Sequence, residues 1–147
     1  FSIFSLVYLM NNIVSLKQLA FILVSIMFIW SGIGKISSFS SNVTGLTKKT
    51  GLPRALCSIG MFLVVILEIV GFIVLLEYFL NIKSASGLFS SLLSQKQLSK
   101  YILVCVLLFL VVVTLIYHPF SFSSPYPFLK NLSLFGAFLY IYADRFA

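Results

Sequence analysis

Acidic and metal-binding side chains are scarce in this sequence of 147 residues, which has three acidic residues, one histidine and two cysteines. Cys57 and Cys105 lie far apart in apolar stretches, and no cluster of cysteine and histidine has the spacing of a metal site. One histidine cannot ligate a haem iron on both sides. Paired carboxylates, a nucleophile triad and a glycine-rich phosphate loop are also missing from the sequence. A covalently bound cofactor and a stand-alone enzyme are therefore the less favoured interpretations.

Charge is low as well, because charged residues make up 9% of the chain and hydrophobic residues 61%, with a mean hydropathy of +1.14. About a quarter of the residues in a soluble domain are charged, so this composition indicates an integral membrane protein. The net charge of +7 would suggest nucleic acid in a soluble protein. Here the basic residues stand singly or in pairs between apolar runs, where they suit anionic lipid headgroups. We expect membrane lipids and other membrane subunits as partners, and no nucleic acid.

Four apolar segments are long enough to cross a bilayer as helices, which takes about 20 residues. They cover residues 16–36, 55–80, 97–117 and 128–145. Residues 37–54 and 81–100 are polar and are predicted as connections. The sequence thus predicts an all-α fold, a membrane-embedded four-helix bundle over residues 16–147.

A short N-terminal segment, residues 1–15, precedes this bundle. Its apolar run is interrupted by Asn11 and Asn12 and is too short to span a bilayer. We interpret it as an interfacial segment or as the remainder of a longer helix that starts upstream.

The basic residues do not orient the bundle, because five of them fall on each side of the predicted helices. The side on which the first helix ends carries Lys35, Lys48, Lys49, Arg54 and Lys130. The opposite side carries Lys17, Lys83, Lys96, Lys100 and Arg145. The positive-inside rule needs an asymmetry between the two sides, so it predicts no orientation here.

Glu68 stands near the middle of the second apolar segment. A carboxylate at the centre of a membrane helix costs about 2.5 kcal/mol or more, so it needs a partner, a proton, water or a function. On a helical wheel it shares a face with Gly60 and Gly71, where a neighbouring helix can come close. Gly32 and Gly136 are predicted to serve helix packing in the same way. Glu68 is either functional, as a proton carrier or ligand contact, or a protonated or paired residue that fixes the packing.

Four polar residues are predicted to form a rim above Glu68: Lys35, His118, Lys130 and Asn131. Lys35 is the candidate counter-ion, but Glu68 lies about 12–18 Å deeper at 1.5 Å per residue. A water-linked relay is therefore favoured over a direct ion pair, and snorkelling of Lys35 to the headgroups is the alternative. His118 either passes protons toward Glu68 or caps its helix. The rim resembles the entrance to a headgroup or small-molecule site between helices.

Several short motifs are familiar when they are taken together and in order. They are WSGIGK at 30–35, GLP at 51–53, EIVG at 68–71, HPF at 118–120 and FLKNLSLFG at 128–136. On these motifs the chain resembles the DoxX-like family of small four-helix membrane proteins over residues 16–142.

The resemblance implies a four-helix membrane bundle associated with membrane redox chemistry. Relatives include a quinone-reducing thiosulfate oxidoreductase subunit and partners of oxidative-stress enzymes. Quinone is thus the implied ligand, and a mitochondrial inner membrane or a bacterial-type plasma membrane is the implied location. Three functions stay open: a redox-associated subunit contacting quinone or a lipid headgroup, an accessory subunit of a larger complex such as a respiratory one, and, less favoured, a small transporter.

Overall fold

The computed structural model describes residues 3–80 and 94–146, and these residues form five helices and no strand. The helices are α1 (Ile3–Ser37), α2 (Phe39–Thr50), α3 (Arg54–Phe79), α4 (Gln95–Tyr117) and α5 (Tyr126–Phe146). Helix α3 is α-helical except for one π-helical turn, Leu67–Gly71, in its second half.

Three of the helices are long and apolar enough to cross a membrane: α1 from Leu16 to Ser37, α3 and α4. Helix α5 has 21 residues, but polar residues near both of its ends make it less apolar than the other three. The chain is thus a multi-pass membrane protein, and the predicted all-α fold class is confirmed.

One core joins α1, α3, α4 and α5 into a four-helix bundle. Its centre is a phenylalanine triad, in which Phe28 of α1 stacks on Phe72 of α3 with 4.4 Å between ring centroids. Phe138 of α5 meets both rings edge-on at 5.6 and 5.8 Å. Lipid tails are as apolar as these side chains, so close van der Waals packing and not the hydrophobic effect holds such helices together.

Residues 39–50 form helix α2, so the prediction of a polar connection over 37–54 was wrong in this part. Phe39, Val43 and Leu46 recur at helical spacing and pack together against α3. The helix ends at Gly51, whose φ of 69° lies in the left-handed region that glycine adopts without strain. The many serine, threonine and lysine residues in this stretch concealed its narrow apolar face.

Apart from the start of α1, the other helix ends agree with the predicted segments to within about two residues. Helix α1 begins at Ile3, so the backbone of the N-terminal segment continues the first spanning helix. Of the predicted connection 81–100, residues 81–93 with Lys83 lie outside the described residues, and the rest opens α4. Ser94 and Gln97 form a capping box there, each side chain accepting a hydrogen bond from the backbone N–H of the other.

Gly32 and Gly71 lie where helices approach closely. A Cβ on Gly32 would come within 2.7 Å of Ile69 Cγ1 and 3.1 Å of Glu68 Cβ. A Cβ on Gly71 would lie 3.2 Å from a methyl group of Ile102 in α4. These two glycines therefore permit the contacts of α3 with α1 and with α4.

Gly60 and Gly136 were also predicted to serve packing, but a Cβ on either would meet no atom within 4 Å. Gly60 faces a cavity, and Gly136 lies on the exposed side of α5. At these two positions no helix in the described part of the chain approaches closely.

We expect Gly32→Ala to lower the free energy of unfolding by about 1–3 kcal/mol, the usual cost of overpacking, because Ile69 and Glu68 would have to move. Gly34→Ala is the matched control on the same helix, since a Cβ there meets nothing within 4 Å. Thermal unfolding in neutral detergent micelles measures both. Equal stability of the two variants would contradict the close contact at Gly32.

Candidate functional site

Lys35 and Glu68 form a direct ion pair between α1 and α3. Lys35 Nζ lies 2.8 Å from Glu68 Oε1 and 2.7 Å from Glu68 Oε2. It also donates to Ser31 Oγ at 2.6 Å. The Glu68 side chain is only 3% exposed and that of Lys35 26% exposed. The prediction of an indirect, water-linked connection between these two residues was therefore wrong.

The two residues meet because α1 ends halfway along α3. Gly32 packs directly against Glu68 and Ile69, and Ser37 lies five residues farther on, about 7.5 Å along the axis. Arg54, the first residue of α3, lies fourteen residues from Glu68, or about 21 Å. The sequence-based estimate placed the end of α1 and the beginning of α3 at the same level. In the structure, α1 stops short of the beginning of α3, and α2 packs against that part of α3 instead.

The π-helical turn of α3, Leu67–Gly71, contains both Glu68 and Gly71. Such turns insert an additional residue into an α-helix and often occur at functional sites. Both residues are buried in this turn. Glu68 faces α1, and Gly71 packs against Ile102 of α4. The turn thus brings three helices together at one level.

Glu68 and Ser31 together use all three N–H donors of the Lys35 ammonium. Its three N–H donors match the two Glu68 oxygens and the Ser31 hydroxyl. The pair is therefore locally neutral and needs no further partner. Ser31 precedes Lys35 by four residues and shares its helix face, a signal in the sequence that the prediction did not use.

A cavity of about 500 Å³ lies between the Lys35–Glu68 pair and the helix ends nearest to it. All five helices contribute to its wall, which extends along α3 from Gly60 to Glu68, about 12 Å. Phe28 and Leu110 line the cavity and also belong to the packed core. The cavity thus begins where the phenylalanine triad ends.

The residues of the predicted rim all line this cavity. Lys35 and Asn131 are half-buried, whereas His118 and Lys130 are exposed. Among the described residues, no hydrogen bond or ion pair occupies the side chains of His118, Lys130 or Asn131. The structure therefore brings together every member of the predicted rim, with Glu68 at its base and three side chains free to contact a ligand.

Helix α2 supplies cavity residues that the sequence interpretation missed. Asn42 and Leu46 line the cavity, and Lys49 lies over the Tyr117 ring with its Nζ 4.4 Å from the centroid. This contact places α2 against the end of α4, beside the cavity that Tyr117 lines. Asn42 was missed because its segment was interpreted as a connection and not as a helix.

Comparisons of the chain with protein-family models, with curated proteins and with solved structures give no match. The DoxX-like resemblance accordingly remains an interpretation of the sequence motifs.

We expect Lys35→Met to destabilise the protein by about 3 kcal/mol, since it leaves the buried Glu68 charge without its partner, and Glu68→Met to destabilise it less, since Lys35 is partly exposed. The double variant should recover most of this loss, because two apolar side chains of similar volume replace a neutral pair at little cost. A double-mutant cycle of unfolding in detergent micelles measures the coupling. If the double variant loses the sum of the two single losses, the two side chains are not coupled and the ion pair does not stabilise the folded state.

Proposed function

We propose that this protein is a membrane subunit that binds a lipid-soluble amphiphile, a quinone or a lipid, in the cavity above the Lys35–Glu68 pair. The observation that carries the proposal is the cavity itself, with free polar side chains near the helix ends and apolar walls. We further propose that this binding is associated with membrane redox chemistry, as the DoxX-like resemblance implies.

The size and the lining of the cavity suit such a ligand. Its volume of about 500 Å³ falls within the range of about 300–1,000 Å³ that is usual for small-molecule sites. Valines and leucines of α3, α4 and α5, such as Val64, Val113 and Leu134, form much of the wall. A few polar groups on a mostly apolar surface are what orients a bound small molecule.

A quinone head has two carbonyl oxygens that accept hydrogen bonds, and the cavity offers donors for them. Lys130, Asn131 and the His118 ring carry N–H groups that no other described side chain uses. The ring would lie on the apolar wall, and the tail would extend into the surrounding lipid. The role proposed for the chain is binding and positioning within a larger assembly, not catalysis by one subunit.

The closed Lys35–Glu68 pair favours the accessory subunit as the second candidate function. An ammonium whose three donors are all used locks α1 to α3 and needs no ligand. In that case Glu68 serves the packing of the bundle, and the contacts with other subunits carry the function.

We expect Gly60→Phe to abolish binding of a short-tailed quinone such as decylubiquinone, because the new ring would fill the cavity. The variant should still fold, since a Cβ at Gly60 meets no atom within 4 Å. Gly136→Phe is the matched control, with equally open space outside the cavity. Native mass spectrometry from neutral detergent micelles counts the bound quinone.

In intact membranes Gly60→Phe and Glu68→Gln, with Gly136→Phe as the control, separate the candidate functions. Loss of quinone-linked activity in Gly60→Phe, with the parent complex assembled, supports binding in the cavity. Unchanged activity in Gly60→Phe contradicts it. Loss of assembly in Glu68→Gln alongside an inert Gly60→Phe indicates the accessory role.

A further inference from the structure

The charges around the cavity do not balance. The chain has three acidic residues, and Asp144 lies at the other end of the bundle in ion pairs with Lys17 and Arg145. Glu77 lies nine residues beyond Glu68 on α3, about 13 Å farther from the cavity. Among the described residues that line the cavity, Glu68 is thus the only one with a carboxylate, and both of its oxygens already accept from Lys35.

Lys130 is the cation that this arrangement leaves without an anion. It lines the cavity and has no ion-pair partner among the described residues. The first turn of α5, just before Lys130, contains no acidic residue that could pair with it. Lys49, over the Tyr117 ring at the cavity wall, adds a second positive charge to the same region.

We propose that the cavity selects an anionic amphiphile from the surrounding bilayer and that Lys130 binds its headgroup. The inference rests on the function proposed above and narrows its ligand class. A charged headgroup forms a charge-assisted hydrogen bond with the ammonium, which is stronger than the bond a neutral oxygen forms. The apolar chain lies along the wall of α4, where Val113 and Ile116 line the cavity.

His118 and Asn131 complete the headgroup site from both sides of the α4–α5 connection. Each can donate to an anionic oxygen, and Asn131 follows Lys130 directly in the chain. The Lys35–Glu68 pair takes no part in binding the headgroup, because the three donors of Lys35 are already used by Glu68 and Ser31 and Glu68 itself is negatively charged. It forms the neutral base against which the ligand is placed.

The test compares two ligands that share one chain and differ in the charge of the head. Oleate carries a carboxylate and oleyl alcohol a neutral hydroxyl. Native mass spectrometry of the protein, released from neutral detergent micelles, gives the concentration at which each adduct forms. We expect oleate to bind about tenfold more tightly than oleyl alcohol, the advantage of one charge-assisted hydrogen bond. Decylubiquinone, measured alongside, provides a neutral ring ligand.

Variants assign the preference to its residue. Lys130→Gln should bring oleate down to the level of oleyl alcohol, whereas Lys130→Arg should keep the preference. Lys48→Gln removes a cation of α2 that does not line the cavity and should leave the preference unchanged. A preference for oleate that survives Lys130→Gln overturns the assignment to Lys130.

The outcomes also separate this inference from the proposal on which it rests. Equal binding of oleate and oleyl alcohol by the unmodified protein overturns the anionic preference and leaves a cavity that binds amphiphiles. If oleate, oleyl alcohol and decylubiquinone all fail to bind, the proposed function fails together with the inference.

Discussion

The Lys35–Glu68 ion pair is the constraint on which the rest of this bundle depends. A lysine and a glutamate can share a low-dielectric interior only at hydrogen-bonding distance, and here the distances are 2.7 and 2.8 Å. That distance requires α1 and α3 to approach closely, which the missing side chain of Gly32 permits. Gly32 packs at the level of Glu68, and α1 ends five residues farther on, about 7.5 Å along the axis. The remaining length of α3 is then covered by α2, and the space between these elements becomes the cavity.

The pair divides the bundle into two parts with different properties. On one side the phenylalanine triad fills the centre and joins α1, α3 and α5. On the other side lies a cavity of about 500 Å³ with unpaired polar side chains. Because the pair is neutral and fully hydrogen-bonded, it can separate the packed part from the open part without binding anything itself. A structural role of Glu68 and a binding role of the cavity are therefore compatible.

Much of the fold could be predicted from the sequence, because apolar runs of about 20 residues leave a backbone few alternatives in a bilayer. Three of the four segments predicted to span, and the grouping of Lys35, His118, Lys130 and Asn131 near Glu68, followed from such runs and from the antiparallel order of the helices. The fourth segment forms helix α5, which is less apolar than the other three. Helix α2 was missed because its apolar face consists of only three residues, which lie within a polar segment. The structure shows no close helix contact at Gly60 or Gly136 in the described part of the chain. A glycine on a helix face permits a close approach of another helix but does not require one.

Composition and hydropathy established the membrane setting, the helical class and the identity of the single acid that needed explaining, since these follow from the solvation of individual residues. The tertiary structure decided how that acid is satisfied. Helix α1 is offset along its axis relative to α3, and Gly32 and the π-helical turn lie at the contact. Because of this offset, Lys35 and Glu68, which were expected to be about 12–18 Å apart, are in direct contact. Such an offset depends on side chains from different helices that fit together, and the spacing of residues along one chain does not contain it.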